Sequence, residues 1–345
     1  ITVENGFTEV EADVWGDDWI DLYLEAGDRH SIDNEMLHRG CMLNLLGQVM
    51  PDGHFHLEDT KEHTRINPFM VQPSGTGKGP AIDFEQDVAD WGALAASEKD
   101  LLLRLTAQFQ GGEESVTYDL LPLLQVMAEA GRIEDELFLT SYLWEEAKHV
   151  EGFDHFLRDV ARVQGSLDDY FTAPYRQLVL EELPSALDRL HTDNRPEALA
   201  RASVTYQMIV EGVLAETGYT AYRTVLRERD LLPGMQAFVG LVQRDESRHV
   251  AYGVFLLSRL VAEHGDPVWT AIEERMEELL PLVLGHIQET LSVYEAPLPF
   301  DITVDQFLDV GSSQFQKRLQ RIERARGQSL SDVLYGDSDD TPRSS

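Results

Sequence analysis

From Asp83 onward apolar residues recur at intervals of three and four with few β-branched runs, the spacing of one helix face. The pattern predicts helices at roughly 98–128, 133–163, 167–190, 197–230, 234–263, 267–293 and 303–326. Gly131, Gly165 and Gly265 stand where a chain can leave a helix, and Pro196 and Pro267 where it can enter one. An all-α bundle is the expected architecture. The first 80 residues are less regular: Asp33 to Met50 reads as a short helix and "MPDGHFHLEDTKEH" as loop. The expected organisation is an irregular extension over 1–80 packed on the bundle, a bundle domain over 81–326, and an acidic, disordered tail over 327–345. The glycine-rich "QPSGTGKGP" lacks the spacing of a phosphate loop, and no strand precedes it.

One stripe is interrupted. In "LTSYLWEEAKHVEGF" the apolar face runs through Leu139, Tyr142, Leu143, Val150 and Phe153, yet Glu146 and His149 lie on it. Burying a carboxylate is costly unless something compensates it. With 32 Glu and 11 His in 345 residues, about one Glu-x-x-His pair arises by chance, and the chain holds three. Glu35/His38 has no companions. Glu146/His149 follows Glu113, in "GGEESVTYDLL", and Glu246/His249 follows Glu211, in "YQMIVEGVLAE". The two sets are offset by 98 residues at the single glutamate and 100 at the pair. Each glutamate sits on its helix's apolar stripe, Glu113 with Phe109 and Val116, Glu211 with Val204 and Leu214, Glu246 with Val242 and Val250. Any one alone reads as a solvated or salt-bridged surface group. Four helices each aiming ligand types inward read as a metal centre.

This arrangement, a Glu from each of two helices and Glu-x-x-His from each of two more, is that of ferritin-like dinuclear carboxylate bundles. An i, i+3 pair shares a helix face, so both groups can reach one ion. Two divalent cations balance four carboxylates when both imidazoles are neutral. One nitrogen and several oxygens per ion suit iron and manganese better than zinc, calcium or magnesium. Two such ions can deliver two electrons to O2, which makes oxygen activation the expected chemistry.

Composition narrows the partners. At 43% hydrophobic residues the chain is globular, and it has neither an apolar run near the length of a membrane helix nor a secretory signal pattern. A soluble, cytoplasmic protein without an integral membrane segment is expected. The single Cys41 excludes an intrachain disulfide and a cysteine-based zinc site. The net charge of −34, with 5 Lys against 23 Arg, argues against nucleic acid or anionic membrane as partner. It fits a halophilic protein, because self-repulsion is screened over about 3 Å at 1 M salt.

The runs "GGEESVTYDLLPLL", "WEEAKHVEGF", "VTYQMIVEGVLAETGY" and "RDESRHVAYG" resemble the ligand-binding oxidases related to the ribonucleotide reductase small subunit. The resemblance is strong from about Ile82 to Leu260 and extends to about Pro299. It implies a ferritin-like bundle, a homodimer, one Mn and one Fe ion (Fe/Fe as the alternative), and a long-chain fatty acid bridging the metals in a hydrophobic channel. Glu113, Glu146 and His149 would hold manganese, and Glu211, Glu246 and His249 iron, with bridging carboxylates blurring the division. Asp245 matches an aspartate that orients the first-site histidine, and Tyr219 a tyrosine near the second metal. Phe153 occupies the place of the reductase radical tyrosine and has no hydroxyl to lose. Val116 and Tyr206 match the pair that these oxidases join by an ether bond after reaction with O2.

Three rival readings remain at this level. A reductase small subunit with Mn/Fe and no radical tyrosine is compatible with Phe153, with Tyr335 near the tail for radical transfer, but leaves Val116 and Tyr206 unexplained. An iron-storage cage is usually built from shorter chains. A purely structural bundle would bind no transition metal.

Overall fold

The computed structural model describes residues 84–163 and 165–335, together with the backbone of four short strands before them. The chain falls into two units, Ile1–Ala81 and Ile82–Ser345. The first contains two antiparallel hairpins: β1 (Thr2–Glu4) with β2 (Phe7–Glu9), and β3 (His54–Leu57) with β4 (Thr60–His63). The second of these replaces the loop expected at "HFHLEDTKEH". The expected helix at Asp33–Met50, the stretch "QPSGTGKGP" and the residues after Tyr335 lie outside the described residues.

Among its described residues the second unit contains helices joined by short connections, and no strand. It comprises α1 (Glu85–Ala93), α2 (Ala96–Asp119), α3 (Leu121–Glu129), α4 (Ile133–His155), α5 (Ala173–Tyr175), α6 (Leu183–Asp188), α7 (Pro196–Ser203), α8 (Glu216–Leu226), α9 (Pro233–His264), α10 (Asp266–Ser292), α11 (Val304–Glu323) and α12 (Leu330–Tyr335). π-helical segments continue α4 over Phe156–Val160, join α5 to α6 over Arg176–Glu182, and join α7 to α8 over Val204–Ala215. The expected bundle is therefore present, and Gly131 and Gly265 leave their helices at φ of 68° and 69°, whereas the helix before Gly165 already ends at Val160, with Arg162 turning at φ of 59°. The helix expected at 98–128 divides at Leu120, since Pro122 opens α3 and cannot donate to the turn before it. Short helix α12 occupies part of the segment expected as a disordered tail.

The core is one cluster of buried Leu, Val, Ile, Met and aromatic side chains drawn from nearly every helix. Helix α9, which carries Glu246 and His249, is anchored at its start by α1. The buried Asp87 carboxylate accepts from the Gly234 and Met235 N–H groups at 2.8 and 2.7 Å, and Asp90 from Leu232 N–H at 2.9 Å. These are first-turn donors with no partner inside the helix, so the two aspartates cap it from a neighbouring element. One turn after His249, Gly253 lets α9 approach the π segment. A Cβ there would come 2.3 Å from Gln207 Cβ and 2.8 Å from Met208 Cε. Neither helix can yield without moving its metal-site glutamate. Gly253→Ala is therefore expected to cost about 1–3 kcal/mol, read as a fall in thermal midpoint. An unchanged midpoint would mean that the two helices are not packed this tightly.

Candidate metal centre

Helix α2 supplies Glu113, α4 Glu146 and His149, the π segment Glu211, and α9 Glu246 and His249. None of the six is more than 5% exposed. They form two overlapping groups, Glu113, Glu146, His149 and Glu246 in one, and Glu146, Glu211, Glu246 and His249 in the other. Within each group one donor atom per residue lies within 4.8 Å of all the others. Glu146 and Glu246, on the two helices with Glu-x-x-His, belong to both groups, and Glu113 and Glu211 to one each. The sequence assigned Glu113, Glu146 and His149 to one ion and Glu211, Glu246 and His249 to the other, with bridging carboxylates blurring the division.

Both imidazoles turn Nδ1 inward. His149 Nδ1 lies 3.3 Å from Glu113, 3.5 Å from Glu146 and 3.4 Å from Glu246. His249 Nδ1 lies 3.0 Å from Glu146, 3.6 Å from Glu246 and 4.0 Å from Glu211. Their Nε2 atoms point outward to carboxylates, His149 to Asp245 at 3.5 Å and His249 to Glu145 at 3.0 Å. Such partners fix the ring orientation and tautomer of a metal-binding histidine. Asp245 is where the sequence places it. Glu145 was missed, though the internal repeat contains the clue: it precedes Glu146 as Asp245 precedes Glu246, and each holds the histidine of the opposite helix. Arg248 donates to both outer carboxylates, at 2.5 and 2.9 Å. Burial would raise the Asp245 carboxyl, but His149, Lys148 and Arg248 bring it down to about 2.

Tyr142, also missed, donates to Glu211 and stacks on His249 with ring centroids 3.5 Å apart. Tyr206 stacks on Tyr142 in turn, and its hydroxyl donates to the Val116 carbonyl oxygen at 3.3 Å. The π-helical turn explains how Tyr206 and Glu211, five residues apart, serve one site: its i→i+5 bonding sets them one above the other. Tyr219 is fully buried near the centre, its ring tilted by 30° against Phe109, and its hydroxyl has no hydrogen-bond partner among the described residues. Phe153 is fully buried between Phe109 and Phe238.

An apolar cavity of about 120 Å³ abuts the cluster. Glu113, Glu146, Glu211 and Glu246 form part of its wall, which continues through Val116, Phe109, Leu105, Leu214, Val225 and Phe307.

The electrostatics fit a pair of cations. Buried oxygens of Glu146, Glu211 and Glu246 and Nδ1 of His249 find no hydrogen-bond partner among the described residues. Burial, reinforced by neighbouring glutamates, pushes the Glu113 and Glu211 carboxyls well above their usual range against the pull of His149 and His249. Burial would lower both imidazoles, yet the surrounding carboxylates raise His149 well above its usual value and His249 to about 12. Carboxylates that collect protons and imidazoles that refuse to release them mark a site short of positive charge. The donor set is that of two oxygen-rich, singly imidazole-ligated ions.

A family model of the ribonucleotide reductase small chain matches residues 80–306. Among solved structures, a tyrosine-to-phenylalanine variant of an R2-like ligand-binding oxidase with aerobically reconstituted Mn/Fe cofactor is 35% identical, with a TM-score of 0.67 over 70% of this chain and 87% of that one. A valine-to-alanine variant with anaerobically reconstituted Mn/Fe is 36% identical, with a TM-score of 0.66 over the same shares. The R2-like ligand-binding oxidase from Sulfolobus acidocaldarius is 34% identical, with a TM-score of 0.67 over 73% of this chain and 87% of that one. The chain belongs to the ribonucleotide reductase small chain family, among the R2-like ligand-binding oxidases.

The ferritin-like architecture expected from the helix pattern is that of this family. Phe153 carries no phenol to oxidise, and its ring is enclosed by Phe109 and Phe238. No described helix is long and apolar enough to cross a membrane.

Proposed function

We propose that the protein is an O2-activating dinuclear Mn/Fe oxidase that binds a long-chain fatty acid or similar hydrophobic ligand and performs two-electron oxidations, the first on its own Val116 and Tyr206. The observation that carries this reading is the pair of overlapping clusters opening onto an apolar cavity whose wall includes Val116. Glu113, Glu146, His149 and Glu246 would hold one ion, and Glu146, Glu211, Glu246 and His249 the other. When bound, such a pair supplies electrons to O2 and a strong oxidant beside the cavity.

The chain's own residues prepare the crosslink. Burial, with Glu146 and Glu211 close by, raises the Tyr206 phenol well above its usual range, so it stands as a neutral donor. Its hydrogen bond to the Val116 carbonyl holds the phenol oxygen at the valine. In the coupling, the Val116 Cβ–H and Tyr206 O–H bonds break and a Cβ–O bond forms. Two protons and two electrons leave, and both are accepted by O2. Tyr142, bonded to Glu211 and stacked on His249, keeps these two groups in place.

Peptide mass spectrometry of protein loaded with Mn and Fe in air is expected to show the Val116 and Tyr206 segments joined, with two hydrogens missing. Loading without O2 should give the separate peptides. Separate, unmodified peptides after aerobic loading would refute the self-oxidation. The same juxtaposition favours the oxidase over a reductase small subunit, for which this pair has no use.

A further inference from the structure

The two histidine-bearing helices share a longer repeat than Glu-x-x-His. Glu145-Glu146-Ala147-Lys148-His149 on α4 and Asp245-Glu246-Ser247-Arg248-His249 on α9 both read acid, Glu, x, base, His. The acid of each helix meets the histidine of the other, and the base beside that histidine follows it across. His249 Nε2 lies 3.0 Å from Glu145 Oε2, and Arg248 Nη2 donates to Glu145 Oε1 at 2.5 Å. His149 Nε2 lies 3.5 Å from Asp245 Oδ2, and Lys148 Nζ lies 3.6 Å from the same oxygen. Each outer carboxylate is held between an imidazole and a cation, both reaching from the opposite helix.

The symmetry breaks at the bases. Arg248 also reaches back one turn along its own helix, where Nη2 donates to Asp245 Oδ1 at 2.9 Å. Lysine carries a compact charge, and a planar fork of donors is what arginine adds. Lys148 pairs with Asp245, and its Nζ rests 4.3 Å from the centroid of the Trp144 ring. Apart from the imidazoles, then, Asp245 has two cations among the described residues and Glu145 has one. A carboxylate orients an imidazole only while it is itself held in place. Removing Arg248 frees Glu145, whereas Asp245 keeps Lys148.

We propose that Lys148 and Arg248 are positioning residues of the metal centre, acting through the outer carboxylates. The ion beside His249 depends on Arg248, and the ion beside His149 on either base. This rests on the reading of the cluster as a two-ion centre and adds to it two residues outside the donor set. Both bases are partly exposed, at 32% and 47% of the side chain, so exchanging them opens no core cavity.

The test uses crystals of the full chain, equilibrated without O2 in manganese(II) at free concentrations set by a chelator. Anomalous peak height against concentration gives a half-saturation point for each position. Arg248→Met keeps the apolar stem and removes every donor. It is expected to raise that point about fivefold beside His249 and to leave it within about twofold beside His149. Lys148→Met should move neither point by more than about twofold, and the two exchanges together should move both about fivefold. Glu145→Gln should raise the point beside His249 about tenfold, and adding Arg248→Met should raise it no further. An equal shift at both positions in Arg248→Met would overturn the assignment and leave the two-ion reading intact, as would a further loss on adding it to Glu145→Gln. No manganese peak at either position of the unaltered chain would overturn that reading instead.

Discussion

Replacing Glu246 by alanine is expected to empty both metal positions at once, whereas Glu113→Ala should spare one. The difference follows from the geometry: Glu246 belongs to both donor groups and Glu113 to only one. Loss of an outer hydrogen-bond partner of a ligand already costs about 10–100-fold in affinity, and loss of a bridging ligand costs more. Metal content after gel filtration should fall from about two ions per chain to well under one for Glu246→Ala, and to about one for Glu113→Ala. The Val116–Tyr206 crosslink should vanish in Glu246→Ala. Glu146→Ala should behave like Glu246→Ala, and Glu211→Ala like Glu113→Ala. Retention of one ion at unaltered affinity in Glu246→Ala would show that the two clusters do not share their carboxylates.

Metal loading should also release protons. In the metal-free chain Glu113 and Glu211 are raised well above their ordinary 4.5, and His149 and His249 above their ordinary 6.5, the latter to about 12. Each of these groups holds its proton to higher pH than usual, where cations would sit. Each has a folded-state value above its unfolded one, so each contributes stability that is complete below the unfolded value and lost as pH rises through the folded one. The metal-free protein should therefore weaken from about pH 4.5 upward. Metal binding, which competes with those protons, should strengthen over the same range. The gap in thermal midpoint between loaded and metal-free protein is expected to widen from pH 5 to pH 8. Titration of metal into weakly buffered protein should acidify the solution. A pH-independent gap with no acidification would mean that the carboxylates are already ionised and paired without metal.

The six clustered donors were legible because two regularities coincide: Glu-x-x-His shares a helix face, and the pattern recurs about 100 residues later. Neither regularity reveals the bridge. That Glu146 and Glu246 serve both clusters depends on how α4 and α9 face each other, which no single-helix period records. That Tyr206 and Glu211 face the same way was not readable from their spacing, because five residues separate them and an α-helix would splay them apart, whereas the π turn brings them together. Glu145 and Arg248 look like ordinary surface charges in a chain with 62 acidic residues, and the repeat that would have flagged Glu145 was used only for the inward positions. The break at Leu120 was readable, since Pro122 opens the second helix. The hairpin at His54–His63 was not: its strands are four residues each, and its turn lacks the Asn-Gly or Asp-Gly signal.

The central claim is that two cations neutralise the buried carboxylates. Anomalous diffraction at the manganese and iron edges, on crystals grown from aerobically loaded protein, tests it most directly. Two peaks are expected, one among Glu113, Glu146, His149 and Glu246, the other among Glu146, Glu211, Glu246 and His249, with each element's edge marking its own ion. A map with no peak there, or with a single ion and a carboxylate turned away to solvent, would contradict the account.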